Sequence, residues 1–361
     1  MNKLGVIFIV ILIIITTFSS CKKDWLGDQT KPKGRGESGE IVLVLDSAKW
    51  SGKIGSELRK IFHESVEGLP RDEPMFDLRH ITPFQFKGIL KQAKNLILVV
   101  PINDENKESL RMRNFFTQDA IDSMRNNPQI SLINRNNLFA TDQSVLFIIG
   151  HDNQSLEQKI MANTDNLRSF FNQIEEKRAY QRLYSVRRER LIMNNIQEKF
   201  EFQIQVPFGW KIAQEKDDFV WLRQAGDQID KNIFIAFKPY DDESQFNDEN
   251  MIEWRNEIAK NYIYENPDKV NSYVITEPLV PPTITEVNFD GMYAKKMIGR
   301  WKTKNITMGG PFVSYILVDE NSNRMYYFEG FVFSPGVEQR EIIRELDVIL
   351  KTFKIITKEQ S

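Results

Sequence analysis

The chain has 361 residues, of which 41% are hydrophobic and 27% charged, a globular balance with enough apolar material for two cored domains. The formal net charge of -2 gives no general attraction for nucleic acid, so we expect no nucleic-acid partner. The single cysteine excludes an intrachain disulfide and a zinc site built from several thiolates.

The first 20 residues have the pattern of a secretory signal peptide, because Lys3 precedes the apolar run Leu4–Ile15. As a helix this run would be about 18 Å long, which is too short for the roughly 30 Å hydrocarbon core of a bilayer. The next residues, Thr16–Cys21, resemble a lipobox, with Phe18 where leucine is commoner. The resemblance implies cleavage before Cys21 and acylation of its thiol and of the new N-terminus. We therefore expect a lipoprotein anchored to the outer membrane of a cell envelope, on either its periplasmic or its outer face. The alternative is an ordinary signal peptide or an uncleaved anchor.

A flexible tether is predicted over residues 21–40. This stretch contains four glycines, one proline and many charges, and its apolar residues follow no period. Such a composition favours an extended, unstructured linker that holds a folded body away from the bilayer.

Residues 41–195 alternate strands with helices. Three apolar runs are typical of strands buried on both faces: Ile41–Leu45, Asn95–Pro101 and Ser144–Ile149. Helical spacing follows each of them, at Lys53–Glu64, at Glu108–Asn126 and in a long helix from Gln154 into the 190s. The alternation predicts a layered α/β domain that ends in the long helix.

Residues 196–361 change to the two-residue period of antiparallel strands. Strands are predicted at Phe200–Val206, Phe219–Arg223, Asn232–Lys238, Gly291–Thr303, Gly310–Asp319 and Met325–Ser334, and helices at Asp248–Tyr264 and Val337–Phe353. The order of elements, with the turn Pro207–Trp210 near its start, resembles the PsbP-type α/β/α sandwich. The resemblance implies an antiparallel sheet covered by helices and specifies no reaction. The whole mature chain is thus expected to combine α/β and α+β architecture in two domains.

Short glycine-containing segments carry a second resemblance, which covers nearly all of the mature chain. They are Gly34–Glu40, Gly68–Pro70 with Glu73 and Pro74, Gly309–Phe312, and Glu329–Phe331. In these residues the chain is similar to an uncharacterised family of Bacteroidota lipoproteins, domain of unknown function 4837. The resemblance implies an envelope location and a two-domain architecture, and no activity.

Four residues are candidates for ligand binding because they lie where predicted parallel strands end: Asp46, Trp50, Lys53 and His151. The turn from Ser47 to Gly55 leads from a strand into a helix N-terminus, a favourable place for a phosphate or a sugar, although it lacks the P-loop spacing. The alternative is that Ser47–Gly55 is a turn whose glycines only permit its backbone conformation, and that His151 is a surface residue without a binding role.

Metal and nucleophile motifs are missing from the sequence. No two of His63, His80 and His151 have helical ligand spacing, and no Gly-x-Ser-x-Gly elbow occurs. We therefore predict no metal, no cofactor and no catalytic residue. Most of six aromatic residues in the second region are expected to lie in the core. If several of them share one concave face, they would instead form a binding groove. The six are Trp210, Trp221, Trp254, Trp301, Tyr326 and Tyr327.

These features favour a membrane-anchored binding or assembly module whose partner is an envelope protein or glycan. Two alternatives stay open: an envelope hydrolase acting on glycan or lipid, with a site near Asp46, Trp50 and His151, and a carrier of a small apolar ligand. A deep pocket with converging titratable groups would favour the enzyme, an aromatic groove the binder, and an enclosed apolar cavity the carrier.

Overall fold

The computed structural model describes residues 31–263, 272–305 and 308–356. The predicted signal peptide, Cys21 and the first part of the predicted tether lie outside these residues. Contacts divide the chain into two units: the described residues up to Ser56 together with Leu78–Ala162, and Glu57–Asp77 together with the residues from Asn163 onward. This division differs from the predicted one, which placed the boundary after residue 195.

The first unit is built on a five-stranded sheet. Its strands are β1 (Glu40–Val44), β2 (Asp77–Ile81), β3 (Asn95–Pro101), β4 (Leu132–Asn136) and β5 (Ser144–Gly150), in the order β2-β1-β3-β5-β4. β3 runs parallel to both β1 and β5, and β4 is antiparallel to β5. Every residue of β3 and β5 is buried, which explains why both strands read as unbroken apolar runs.

Helices cover both faces of this sheet. They are α1 (Ser47–Ser51), α3 (Lys107–Arg113), α4 (Gln118–Asn126) and α5 (Asn153–Ala162), with a 3-10 helix at Gly88–Gln92. A further helix, α2 (Lys53–Phe62), begins in this unit, and its residues from Glu57 onward belong to the second unit. One apolar cluster joins α3 and α4 to the face that carries Leu96, Leu98 and Val100. Lys53, in the first turn of α2, forms an ion pair with Glu157 of α5, and neither helix contributes a residue to that cluster. The chain therefore leaves β1 and β3 towards opposite faces, and their carboxyl ends border a topological switch point.

The predicted tether is folded over its second half. The Gly34 N–H donates to the Thr141 carbonyl at 2.8 Å, and the Arg35 N–H donates to the Gln92 carbonyl at 2.7 Å. A Cβ at Gly34 would lie 2.8 Å from the Thr141 oxygen, so glycine permits this approach. The prediction of a flexible linker up to residue 40 was wrong for this segment because its backbone is hydrogen-bonded to Gln92 and Thr141, far along the chain.

The predicted long helix is three helices. α5 ends at Ala162, α6 spans Thr164–Leu183, and α7 spans Arg190–Phe200. The predicted helix Glu108–Asn126 is likewise broken, since the Thr117 hydroxyl accepts from the Ala120 N–H and starts α4 afresh. Apolar spacing continues across such short breaks, so it did not reveal them.

The second unit contains an antiparallel sheet between helices. Its main strands are β7 (Lys211–Glu215), β8 (Phe219–Ala225), β9 (Asp230–Pro239), β10 (Val274–Thr276), β11 (Thr283–Phe289), β12 (Met292–Thr303), β13 (Gly309–Asp319) and β14 (Arg324–Phe333). Their order is β10-β12-β13-β14-β9-β8-β7, and β11 also pairs with β12. β6 (Phe202–Gln203) pairs separately with β15 (Lys354–Ile355), so most of the predicted strand Phe200–Val206 is not a strand.

Two apolar cores lie on the two faces of this sheet. Residues Val313, Tyr315 and Leu317 of β13 face the core that includes α9 (Arg340–Leu350), whereas Phe312 and Ile316 face the core that includes α8 (Asp248–Tyr262). The alternation follows from the two-residue period of a strand. The unit is therefore an α/β/α sandwich, and the expected combination of α/β and α+β architecture is confirmed.

Candidate functional site

At the switch point of the first unit, a carboxylate caps the first helix. Asp46 follows β1, and its Oδ1 accepts from the backbone N–H groups of Ala48 at 2.9 Å and Lys49 at 3.1 Å. The segment Ser47–Ser51, predicted as part of a turn before the helix at Lys53, is thus itself a short helix whose N-terminus is capped by the protein's own carboxylate.

A cluster of charges continues from Asp46 across the ends of β1 and β3. The buried Lys49 places its Nζ 2.5 Å from Asp104 Oδ2. Burial and a hydrogen bond with Asp46 raise the pKa of Glu108, the neighbouring residue of α3. Burial acts against ionisation of Asp46 as well, but its bonds to Glu108 and Lys49 outweigh this and lower its pKa. Asp46 and Glu108 therefore form a hydrogen-bonded carboxyl pair in which Glu108 holds a proton more readily, and Asp46 less readily, than a separate side chain of its kind would.

The other predicted site residues have separate partners. Trp50 stacks on His80, with ring centroids 4.6 Å apart and planes 8° from parallel. Lys53 pairs with Glu157, and the His151 Nε2 lies 3.0 Å from the Met124 carbonyl. The structure thus gives Asp46, Trp50, Lys53 and His151 different neighbours, and their binding role stays a prediction. Within the described ranges, no group of three histidine, cysteine, aspartate or glutamate side chains is placed to hold a metal ion.

A charged cavity of about 390 Å³ lies in the second unit, beside α6, α9 and β12. Its buried carboxylate is Asp347, which accepts from the Tyr315 hydroxyl at 2.6 Å and pairs with Lys296 at 3.0 Å and Lys351 at 3.1 Å. Burial alone would raise the pKa of Asp347, but the two lysines outweigh it and lower the pKa to about 2. Burial and Asp347 raise the pKa of Tyr315. Titratable groups do converge here, and Asp347, Tyr315, Lys296 and Lys351 pair with one another.

A second surface of this unit, which we call the basic groove, lies along the β12 end of the sheet. It has a volume of about 770 Å³ and includes Arg300, Lys302, Lys304, Leu279 and Val280. Lys302 pairs with Glu277 at 3.3 Å, and the Lys304 Nζ lies 3.1 Å from the Tyr273 hydroxyl. In contrast, the buried Nε of Arg300 has no hydrogen-bond partner.

Next to the groove lies a small cavity that we call the aromatic pocket. Its volume is about 130 Å³, and four of its lining residues are Trp221, Trp301, Phe331 and Phe333. The groove and the pocket share Trp301, Thr303 and Met308. Ser272 also lines the pocket, and its buried Oγ has no hydrogen-bond partner. Of the six predicted aromatic candidates, Trp221 and Trp301 therefore line a concave surface, whereas the other four are buried in the cores.

Two family models match the chain on either side of residue 186. Residues 34–184 match the model described as a domain of unknown function (DUF8532), and residues 189–352 match the one described as a domain of unknown function (DUF4837). Residues 189–352 are a DUF4837 domain. This confirms the predicted family for residues 189–352. The prediction was wrong in extending it over nearly all of the mature chain, because Gly34–Glu40 and Gly68–Pro70 lie in the part that matches DUF8532. The Bacteroidota source and the PsbP resemblance stay predictions.

Comparison with solved structures adds distant likenesses only. The Ran-binding protein Mog1p of Saccharomyces cerevisiae is 10% identical and has a TM-score of 0.29, over 43% of this chain and 90% of its own. A point mutant of the protein Mog1 is 11% identical, with a TM-score of 0.28 over 44% and 92% of the two chains. The human StarD13 (DLC2) lipid transfer and protein localization domain is 12% identical, with a TM-score of 0.21 over 44% and 95%. At these scores the likeness does not establish a shared fold. No curated protein matches the chain.

Several residues that carry the family resemblance stabilise the second unit. Both oxygens of the buried Glu73 accept from backbone N–H groups at the start of α9, at 2.8–2.9 Å. Glu329 of the DUF4837 domain forms an ion pair with Arg255 in which both side chains are 0% exposed. A Cβ at Gly310, which lines the basic groove, would lie 2.1 Å from the Val332 oxygen. Packing and capping therefore account for these residues.

Sequence reasoning missed the basic groove of the DUF4837 domain. Its signal is present, because Arg300, Lys302 and Lys304 occur at every second position at the end of a predicted strand and so share one side of it. Ser272 gave no signal, since a single serine in a loop is uninformative until its buried surroundings are known.

Proposed function

We propose that this protein is an exported lipoprotein, acylated at Cys21 and held at the outer membrane. Its DUF4837 domain binds an acidic, partly apolar segment of another envelope protein through the basic groove. The lipobox-like Thr16–Cys21 supports the anchor. Among the described residues, no helix is both long and apolar enough to cross a bilayer.

The observation that carries the binding proposal is the unpartnered Nε of Arg300. A buried donor without an acceptor costs about 1–3 kcal/mol, and more when the group is charged. A carboxylate entering the groove would supply the acceptor in a charge-assisted bond, and guanidinium groups suit carboxylates geometrically. Lys302 and Lys304 already contact Glu277 and Tyr273, and Arg300 also interacts electrostatically with Glu277. Of these three cations, Arg300 is the one with a buried donor atom that lacks a partner.

Apolar side chains beside Arg300 favour a protein segment over a simple anion. Leu279 is 85% exposed and Val280 is 38% exposed, and both line the groove. Burying them would stabilise a complex by roughly 25 cal/mol for each Å² of apolar surface removed from water. A volume of about 770 Å³ lies within the usual range of binding pockets and accommodates a few side chains of a bound segment.

The groove is tested with three fluorescent ten-residue peptides in which leucine alternates with glutamate, glutamine or lysine. We expect the glutamate peptide to bind most tightly in fluorescence anisotropy, and its affinity to fall as salt is raised. The Arg300→Gln variant should lose about tenfold in affinity for the glutamate peptide only, in line with a charged hydrogen bond. Arg190→Gln is the matched control, since Arg190 is an exposed residue of α7 that does not line the groove. Equal affinity for the lysine peptide, or an Arg300→Gln variant that binds like wild type, would refute the groove.

The anchor is tested separately by mass spectrometry of the native protein from cell envelopes. We expect a mature chain that begins at an acylated Cys21, and release of the Cys21→Ser variant from membranes. A chain that begins at Met1 with a free Cys21 thiol would refute the anchor and leave the groove untouched.

A further inference from the structure

We propose that the aromatic pocket of the second unit binds a phenol ring, supplied by a tyrosine side chain of the segment that occupies the basic groove. The inference rests on the proposed function for the identity of the partner. Its physical basis, however, is the pocket itself.

The size of the pocket limits its occupant to one ring. Its volume is about 130 Å³, slightly below the roughly 150 Å³ of an engineered apolar cavity that stays dry and binds benzene. An indole would not fit without displacing lining residues. Ile263, Val274 and Met308 join the four aromatic rings in a mostly apolar lining, against which an entering ring would pack.

The chemistry of the pocket adds one polar requirement. Ser272 is only 5% exposed, and its Oγ has no hydrogen-bond partner although it lies in the lining. An occupant with one hydroxyl would satisfy this atom, whereas a purely apolar ring would leave it unsatisfied. A phenol combines the required ring with a hydroxyl that both donates and accepts.

The remaining polar groups of the wall already have partners and hold its shape. The Trp221 Nε1–H donates to Asn232 Oδ1 at 3.0 Å. Arg223 makes two close contacts with Asp230, from Nε at 2.9 Å and from Nη2 at 2.6 Å. These bonds fix the Trp221 ring and neutralise the charges near it, so Ser272 is left as the polar group that selects the ligand.

Continuity with the basic groove indicates where the ring comes from. Trp301, Thr303 and Met308 line both cavities, so the pocket directly adjoins the groove. An aromatic residue seated in a small pocket beside charged contacts is a common arrangement of a binding hot spot.

The test uses p-cresol, the side-chain analogue of tyrosine, in ligand-observed NMR titrations of the lipid-free mature protein. We expect p-cresol to bind about three- to tenfold more tightly than toluene, which lacks only the hydroxyl, in line with one buried hydrogen bond. In the Ser272→Ala variant the two ligands should bind equally. This variant removes an unsatisfied buried oxygen, so it should fold at least as well as wild type. Ser185→Ala, a serine outside the lining, is the matched control and should keep the preference for p-cresol.

Two further measurements decide the source of the ring. N-acetyl-L-tyrosinamide should bind with an affinity similar to that of p-cresol; if p-cresol alone binds, the assignment to a tyrosine side chain is overturned. Val274→Phe should fill the pocket and abolish binding, and a thermal melt reports whether that variant folds. If p-cresol and toluene bind equally to wild type, or neither binds, the proposal fails. Because these probes do not need Arg300, such a failure is distinguishable from failure of the groove.

Discussion

The sharpest stability prediction concerns the buried ion pair between α8 and β14. The Arg255 Nε and Nη2 donate to the two oxygens of Glu329 at 3.0 and 2.8 Å, and both residues are 0% exposed. Arg255 Nη1 also contacts the Thr276 hydroxyl at 3.3 Å, and its guanidinium lies 4.4 Å from the centre of the Phe312 ring. Glu329→Gln would leave the guanidinium buried without its counter-charge.

Removing one partner of a buried pair costs about 3–5 kcal/mol, because the remaining charge stays out of water. At roughly 2–4 °C per kcal/mol for a unit of this size, the melting temperature of the second unit should fall by roughly 6–20 °C. Urea denaturation of the lipid-free protein measures the free energy of unfolding directly. Arg255→Met in the same chain should restore part of the loss, since the double variant contains neither charge.

Asp290→Asn is the matched control for the change from carboxylate to amide. Asp290 pairs with Lys354 at 3.8 Å, but both side chains are more than 60% exposed. Such a pair contributes at most about 1 kcal/mol, so the control should melt close to wild type. The reasoning is refuted if Glu329→Gln costs less than about 1 kcal/mol, or if the double variant is as unstable as the sum of the two single ones.

Three further predictions concern other residues. The pKa of Asp347 is lowered to about 2, so its ionised form stabilises the fold above the unfolded pKa of 3.8, and this contribution is lost as pH falls towards 2. Asp347→Asn should therefore remove about 2 kcal/mol of the acid dependence of unfolding, measured by urea titrations between pH 5 and pH 2. The pKa of Glu108 is raised, so the protonated side chain stabilises the fold at low pH and this contribution is lost as pH rises. Glutamine keeps the uncharged form at every pH. The Glu108→Gln variant should therefore gain in stability relative to wild type from pH 4 to pH 8, measured by thermal melts. Gly310→Ala should cost about 1–3 kcal/mol or more, measured by urea denaturation, because its Cβ would overlap the Val332 oxygen.

Each of these three has a result that would contradict it. For Asp347→Asn it is an unchanged acid dependence. For Glu108→Gln it is a stability difference from wild type that does not change with pH, which would mean that Asp46 and Glu108 do not share a proton. For Gly310→Ala it is stability equal to that of Gly291→Ala, where a Cβ meets no atom within 4 Å and only the positive φ of +91° opposes the change.

Local sequence patterns predicted most of the elements that have long, strong periods. Asn95–Pro101 was predicted with the observed bounds, and the helix at Lys53 and the hairpin strands from Met292 to Phe333 were found within a few residues. The weak elements were missed: the edge strands β10 and β11 and the short β4 carry too few buried residues to show a period.

The amino-acid sequence by itself determined the class of each half. Unbroken apolar runs require strands covered on both faces, and alternating runs require a sheet with two different faces. It also determined the family and gave the lipobox-like segment at Cys21, because both depend on residues that are adjacent in the chain. Tertiary structure alone decided which buried polar atoms lack a partner, and the two binding proposals depend on these atoms. Arg300 and Ser272 matter because their polar atoms are buried without a partner, a property set by side chains brought together from distant strands and loops. Likewise, the sequence predicted Lys53 and Asp46 as ligand-binding residues, whereas in the structure Lys53 pairs with Glu157 and Asp46 with Lys49. The spacing of residues along the chain does not indicate such ion pairs.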